Sequence, residues 1–317
     1  MRQVLAITFA VILVWTARSS EAQQTDTADE LVSSWTLAAL ERGVAGGQPT
    51  RVAGARGLLI IDRVGNVFEF FSTASRDEPE SPRLDPQRTF ADFGGFWGRY
   101  EAVAAAGRID FEAKSGVSPN VHDLEFSRSY ELDGDKLIMT STKEPQAQAD
   151  TRWTWQRVPT VEHLSAAYRE TVGFWEHVDE RRVNTATGEV ERISYRSPSL
   201  IVYGPGGYFG VHFPTLDRVP FASETPTLEE AQEGFRSYLG YWGALGVYPG
   251  EVFHNVMSGV QPSAGAILRR YADIDGEELV VTLETGFARE SDDPPPFVTT
   301  VHLRRLSGVD DMLLRPR

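Results

Sequence analysis

The sequence of 317 residues predicts an all-β fold built from two antiparallel β-barrels in tandem, each with a short helix. The second half repeats the first, so that Trp175 falls on Trp35 and Arg305 falls on Arg157. Within each copy, short runs alternate apolar and polar residues between Gly, Pro, Asn and Asp, which is typical of strands. About eight such strands per copy is the number at which an antiparallel sheet closes into a barrel.

The repeat is clearest between residues 96–128 and residues 241–270. Each stretch has an aromatic residue before Trp-Gly, then a glycine turn, then an apolar strand that runs into Ser-Gly-Val-x-Pro. Solenoid repeats have periods of about 20 to 50 residues, so a repeat this long indicates whole domains. We therefore predict copy one at residues 29–158 and copy two at residues 170–306.

The N-terminal segment has the three-part pattern of a secretory signal. A single Arg2 precedes an apolar run over residues 4–15, and small and polar residues end at Ala22. The run is shorter than the roughly 20 residues that a membrane-spanning helix needs. We predict a signal peptide at 1–22 and a soluble, periplasmic or secreted protein without a membrane span.

Composition narrows the classes of partner and the source of stability. The sequence contains no cysteine, so an exported chain would have to be stable without disulfides. Its formal charge is -14, and removing the predicted signal leaves it about one unit more negative. Such a balance argues against nucleic acid and anionic membranes as partners, and it also keeps exported proteins soluble.

The predicted strands follow one another in the same order in both copies. In copy one they lie near 32–41, 57–62, 67–72, 100–104, 109–114, 124–132, 136–142 and 152–158. In copy two they lie near 173–182, 199–203, 208–214, 243–248, 251–258, 266–274, 278–285 and 299–306. The Asp-Gly pairs at Asp133 and Asp275 are favoured two-residue hairpin loops.

Helical signals interrupt the strand pattern at three places. Thr227 and Glu230 form a capping-box pattern, followed by apolar residues at helical spacing up to Leu239. The matching region of copy one, 86–96, is more broken. Helical spacing also predicts a short connecting helix at 159–169, and residues 307–317 read as a tail.

Copy two resembles the lipocalin-like domain of many bacterial and fungal proteins. The matching residues are Gly206, Gly207, Tyr208, Phe209, Tyr238, Tyr241, Gly243, Val252, Phe253, His254, Ser258, Pro262, Gly265 and Arg270, with Trp175 on the first strand. The resemblance implies a barrel around an apolar cavity that takes small hydrophobic molecules. In some two-domain relatives, the cavity or the seam between the barrels guides cyclisation or isomerisation. Copy one matches less well, because Phe111 stands where copy two has His254.

The resemblance also implies that an arginine near the end of the last strand stacks on the first-strand tryptophan. Arg157 and Arg305 suit that role. Arg128 and Arg270, which occupy equivalent places in the two copies, are then candidates for binding a carboxylate in the barrel interior. A structural salt bridge is the alternative for both.

Four histidines of copy two are candidates for chemistry: His177, His212, His254 and His302. No pair has a known metal-ligand spacing such as HExxH, so neither a metal nor another cofactor is predicted. His254 coincides with the family pattern and is the first candidate for a proton relay or a hydrogen-bond donor. If buried it would be neutral, because burial disfavours the charged imidazole. A structural histidine bonded to a neighbouring strand is equally compatible with the sequence.

Three functions remain open at this point. The first is a binding protein for a small hydrophobic or aromatic molecule, held in copy two by Tyr208, His212, Trp242, Arg270 and His177. The second is a cofactor-independent cyclase, isomerase or lyase in which His254 and Tyr241 move protons. The third is an interaction module that docks another protein at the seam. The oligomeric state is not predicted.

Overall fold

A computed structural model describes residues 29–43, 48–73, 86–141, 151–193, 198–214, 218–223, 225–261, 264–285 and 297–313. The predicted signal peptide at 1–22 lies outside the described residues. The chain forms two closed eight-stranded antiparallel barrels in tandem, as the sequence predicts. No helix within the described ranges is long and apolar enough to cross a membrane.

Barrel one contains the strands β1 Ser33–Arg42, β2 Thr50–Arg51, β3 Arg56–Ile61, β4 Asn66–Ser72, β5 Phe93–Val103, β6 Arg108–Gly116, β7 Leu124–Asp133, β8 Lys136–Ser141 and β9 Thr151–Arg157. β1 pairs with β3 on one side and with β9 on the other, which closes the sheet. The two-residue β2 only extends the end of β1. Its residues are exposed and lack the apolar alternation that predicts a strand.

Barrel two repeats this order with β10 Gly173–Asn184, β11 Val190–Ile193, β12 Leu200–Tyr203, β13 Tyr208–Pro214, β14 Tyr238–Tyr248, β15 Glu251–Gln261, β16 Ile267–Asp275, β17 Glu278–Thr285 and β18 Phe297–Ser307. β10 pairs with β12 and with β18, so this sheet also closes. Each predicted strand has a counterpart at its expected place. β11, like β2, is a short addition that the sequence does not predict.

Short α-helices accompany the barrels in the described ranges, and those used below are α1 Pro86–Asp92, α2 Ala166–Thr171, α3 Leu228–Arg236 and α4 Val309–Met312. The predicted capping box of Thr227 with Glu230 is present at the start of α3. The helix ends earlier than its apolar spacing predicts, because Tyr238 and Leu239 already pair with β13 as the first residues of β14. The connecting helix α2 begins after its cap Ser165, later than predicted.

A tryptophan and an arginine close one end of each barrel. The guanidinium of Arg157 lies 4.1 Å from the ring centroid of Trp35, and that of Arg305 lies 4.1 Å from the ring centroid of Trp175. Each indole N–H donates to a backbone carbonyl just before its strand, for example from Trp175 to Thr171 at 2.8 Å. The predicted stacking of the two arginines is confirmed, and it leaves Arg128 and Arg270 for other roles.

The barrels pack against each other through a continuous apolar surface, here called the seam. Its buried residues are Leu58, Ile60, Phe68, Phe70, Phe93, Trp97, Val117, Val172, Phe174, Leu200, Val202, Tyr238, Trp242, Val260 and Met312. Phe68 of β4 lies over the backbone of Gly210 in β13, where a Cβ atom would meet its ring at 2.1 Å. Because both barrels contribute to one buried core, the seam surface is not available to dock another protein.

Polar contacts across the seam involve the repeated Ser-Gly-Val segments. Arg218 of copy two donates to the carbonyls of Gly116 and Val117 at 2.7 and 2.6 Å. Ser258 donates to the hydroxyl of Ser72 at 3.0 Å. These segments therefore hold the two barrels together, and no nucleophilic role follows for Ser258.

The segment predicted as a tail is docked on barrel one through residue 313. Arg63 donates to the backbone carbonyls of Asp310 and Leu313 at 2.6 and 2.7 Å. Met312 is buried in the seam with 2% of its surface exposed. The C-terminal helix α4 thus belongs to the packed structure, and the sequence prediction of a tail does not describe it.

Candidate functional site

The interior of barrel two, its lumen, contains a polar group enclosed by apolar side chains. His254 of β15 lies between two tyrosines: its Nε2 is 3.2 Å from the hydroxyl of Tyr203, and its Nδ1 is 3.2 Å from the hydroxyl of Tyr241. The ring of Phe209 stacks on the imidazole with centroids 3.9 Å apart. The three polar side chains are almost completely buried. We call Tyr203, Tyr241 and His254 the lumen triad.

Arg270 of β16 joins this group from the same face of the barrel wall. It is half-buried, and its charge lies near enough to influence the pKa of both Tyr241 and His254. Leu268 and Ala272, two positions to either side of Arg270, belong to or pack on the lumen cluster, which confirms the inward direction of this face. Tyr241, His254 and Arg270, three of the residues that the sequence singles out, therefore lie together.

A neutral imidazole has one nitrogen that donates and one that accepts, whereas a tyrosine hydroxyl can do either. His254 therefore donates to one of its two tyrosine neighbours and accepts from the other. The three side chains thus form one hydrogen-bonded chain through the imidazole.

Burial sets the protonation states of the lumen triad. Loss of hydration, with the nearby charge of Arg270, lowers the pKa of His254 well below its ordinary value. Burial also raises the pKa of Tyr203 and that of Tyr241. At neutral pH the imidazole is therefore neutral and both hydroxyls keep their protons. A neutral imidazole in this position can accept a proton or pass one between hydroxyl groups.

Strand register identifies the equivalent positions of barrel one. Trp35 pairs with Leu59, which pairs with Glu69, which pairs with Phe96. The same ladder in barrel two runs Trp175, Ile201, Val211 and Tyr241. By this register, Phe96 is the equivalent of Tyr241, and Glu69 is the equivalent of Val211. In the same way, Ile61 corresponds to Tyr203 and Phe111 to His254.

The lumen of barrel one contains a closed ion pair where barrel two has its polar group. Both nitrogens of the Arg128 fork contact the Glu69 carboxylate, one of them at 3.1 Å, and both residues are buried. The guanidinium also lies 4.0 Å from the ring centroid of Trp153. Arg128 is therefore neutralised within its own barrel, as the structural alternative from the sequence states.

Three of the remaining predicted ligand-binding residues lie at the seam and not in the lumen of barrel two. His212 and Trp242 face the seam, because they alternate with the inward-facing Val211 and Tyr241 along their strands. Nε2 of His212 is 3.1 Å from the backbone carbonyl of Glu69, and its Nδ1 contacts the hydroxyl of Tyr238. Tyr208 packs on the seam beside Trp242. The predicted set is thus split between lumen and seam.

His177 lies on β10, where its ring packs edge-on against the lumen residue Phe213 with centroids 5.5 Å apart. Burial lowers its pKa to about 4. His177 thus lies on β10, whereas the three residues of the lumen triad lie on β12, β14 and β15. Within the described ranges, no group of three or more His, Cys, Asp and Glu residues could hold a metal ion.

A concavity lies outside the barrels. A groove of about 560 Å³ runs over the outer face of β5–β7 and is lined by charged residues of both signs. Arg108 pairs with Asp110 there, and Ser127 donates to the same carboxylate at 2.6 Å. Because these charged side chains pair with one another and are exposed to water, we interpret the groove as ordinary solvated surface.

The burial of His212 makes stability depend on pH. Burial lowers the pKa of His212 to about 3 in the folded state, so below about pH 6.5 only the unfolded chain takes up this proton. Folding stability should therefore fall as the pH falls, by about 1.4 kcal/mol per unit for this group. Urea unfolding from pH 7 to pH 4 should show this slope reduced in His212→Gln, and an unchanged slope would contradict the assignment.

No protein-family model matches the chain, and no curated protein matches it. Among solved structures, the crystal structure of a protein of unknown function from the DUF3598 family of Nostoc punctiforme PCC 73102 is similar over 89% of this chain and 99% of that chain. The two are 7% identical with a TM-score of 0.22, so this similarity carries no argument.

Proposed function

We propose that the chain is an exported lipocalin-like protein that binds a small, mainly apolar molecule in the lumen of barrel two. The lumen triad is the observation that carries this proposal. Barrel one has the apolar residues Ile61, Phe96 and Phe111 at the equivalent positions and still forms a closed barrel. Closure of the barrel therefore does not require polar side chains at these positions. The polar side chains of the lumen triad are thus an addition that the closed barrel does not need, which favours a role in binding a ligand's polar end.

The wall beside Arg270 supplies apolar surface for the rest of such a molecule. Leu245, Val247, Ala272, Ile274 and Leu283 pack on the lumen cluster while staying partly exposed. A ligand that covers them would remove apolar area from water, at about 25 cal/mol per Å². Export itself is supported by the N-terminal sequence pattern.

Replacing two residues of the lumen triad, Tyr241 and His254, by their equivalents in barrel one tests the proposal. The double variant Tyr241→Phe, His254→Phe should bind an apolar fluorescent probe such as aminoanthracene about tenfold less tightly, since it loses two hydrogen-bonding groups worth about 0.5–1.5 kcal/mol each. The variant Phe111→Leu changes the other lumen and serves as the matched control. Equal loss in both variants, or no binding by the wild-type protein, would overturn the proposal.

A second candidate function is cofactor-independent proton transfer in the same lumen. It is favoured by the neutral imidazole of His254 with a hydroxyl group at each nitrogen. An enzyme of this kind should lose turnover by roughly a hundredfold or more in His254→Phe, while substrate affinity falls only modestly. If the protein only binds its ligand, His254→Phe should lower the affinity, and neither the wild-type protein nor the variant should show turnover. Candidate substrates come from native mass spectrometry of the protein isolated from its own host.

A further inference from the structure

We propose that barrel two selects ligands with an anionic end, and that Arg270 binds a carboxylate of the ligand at the place where barrel one has its own Glu69. The inference rests on the proposed function and narrows its ligand class to an apolar molecule with one carboxylate. It comes from comparing the two lumens of a single chain, position by position.

The two lumen arginines are equivalent by register. Arg128 pairs with Ile109 of β6, and Arg270 pairs with Val252 of β15, two positions before Phe111 and His254 on those strands. Both side chains lie on the inner face of their strands. The fold therefore provides one arginine in each lumen, independently of what surrounds it.

The partners of the two arginines differ in charge. In barrel one, Glu69 supplies a carboxylate that binds both ends of the Arg128 fork. In barrel two, the ladder places Val211 at the equivalent position, and Val211 is buried with no charge to offer. Within the described part of the chain, Arg270 makes no ion pair, and its guanidinium donates to the backbone carbonyl of Arg269 at 3.0 Å.

Because of this difference, the guanidinium of Arg270 is a positive charge in an apolar wall, with N–H donors that a ligand can use. A planar guanidinium binds a carboxylate through two parallel hydrogen bonds, which suits it to recognise this group. Arg270 is half-buried, whereas Arg128 is enclosed. A molecule that enters beside Leu245 and Ile274 would thus meet Arg270 with its acidic end while its apolar part covers the wall.

The test uses a dansyl-labelled long-chain carboxylic acid and its methyl ester as probes. The two probes share the apolar part and differ in the end group, which is a charged carboxylate in the acid and a neutral methyl ester in the other probe. The wild-type protein should bind the acid at least about tenfold more tightly than the ester, because hydrogen bonds to charged groups contribute about 1.5–3 kcal/mol. Arg270→Met, which keeps an apolar stem, should remove this preference by lowering the affinity for the acid to that for the ester.

Val211→Glu is the matched variant, because it gives barrel two the carboxylate of barrel one. It should close an internal ion pair with Arg270 and abolish the preference for the acid. If this variant does not fold, Arg270→Met alone decides. Equal binding of acid and ester by the wild-type protein, or a preference that survives Arg270→Met, would overturn the inference while leaving the proposed function intact. Binding of neither probe would overturn both.

Discussion

Glu69→Leu should destabilise the protein by about 3–5 kcal/mol, the cost of removing one partner from a buried ion pair. The change removes the carboxylate that binds the guanidinium of Arg128, which lies in a largely apolar lumen against rings such as that of Trp153. An isolated charge in such surroundings is far more costly than the pair. The loss is read from the midpoint and slope of urea unfolding at neutral pH.

The double variant Glu69→Leu, Arg128→Met is the control for this prediction. Replacing a whole buried ion pair by apolar side chains of similar volume is often neutral or even stabilising. The double variant should therefore recover most of the stability that Glu69→Leu loses. If Glu69→Leu lowers the free energy of unfolding by less than about 1 kcal/mol, this would contradict a buried ion pair between Glu69 and Arg128.

Phe68→Ala should cost a similar amount, about 3–5 kcal/mol, because it removes a fully buried aromatic side chain from the seam. The ring contacts the imidazole of His212 and the backbone of Gly210, both in the other barrel. We also expect the single unfolding transition of the wild-type protein to separate into two, since the two barrels would no longer share one core. Calorimetry measures both effects.

Gly210→Ala provides an independent check on the same contact. Its new methyl group would overlap the Phe68 ring, so the variant should be destabilised on its own. In the Phe68→Ala background the methyl group has room, and the added cost should largely disappear. Additive costs in the double variant would show that the two residues do not touch across the seam.

The architecture could be predicted from the sequence because the repeat and the strand pattern agree. Pairs such as Trp35 with Trp175 fix two equivalent domains, and the alternation within each copy requires antiparallel sheets. The short strands β2 and β11 carry no such signal and were not predicted. The end of α3 was placed too late, because Tyr238 suits a helix by spacing but is held in β14 by pairing with Pro214.

The site could be predicted only in part, because the sequence does not show which face of a strand points inward. His212 and Val211 are neighbours, and both faces of β13 are buried, one by the lumen and one by the seam. Alternation alone cannot distinguish two buried faces. Glu69 is not predicted as a site residue, and Tyr203 stands out from the sequence only as one of several aromatic rings of copy two that suit a pocket. A comparison of Tyr203 with Ile61 and of Val211 with Glu69 across the repeat would have indicated both.

The most direct measurement is a crystal structure of the wild-type protein with a bromine-labelled long-chain carboxylic acid, in which anomalous scattering locates the bromine. The proposed function predicts bromine inside barrel two, beside the wall formed by Leu245 and Ile274. The further inference predicts the carboxylate at Arg270. Bromine in barrel one, in the seam or only on the outer surface would contradict the claim that barrel two is the binding barrel.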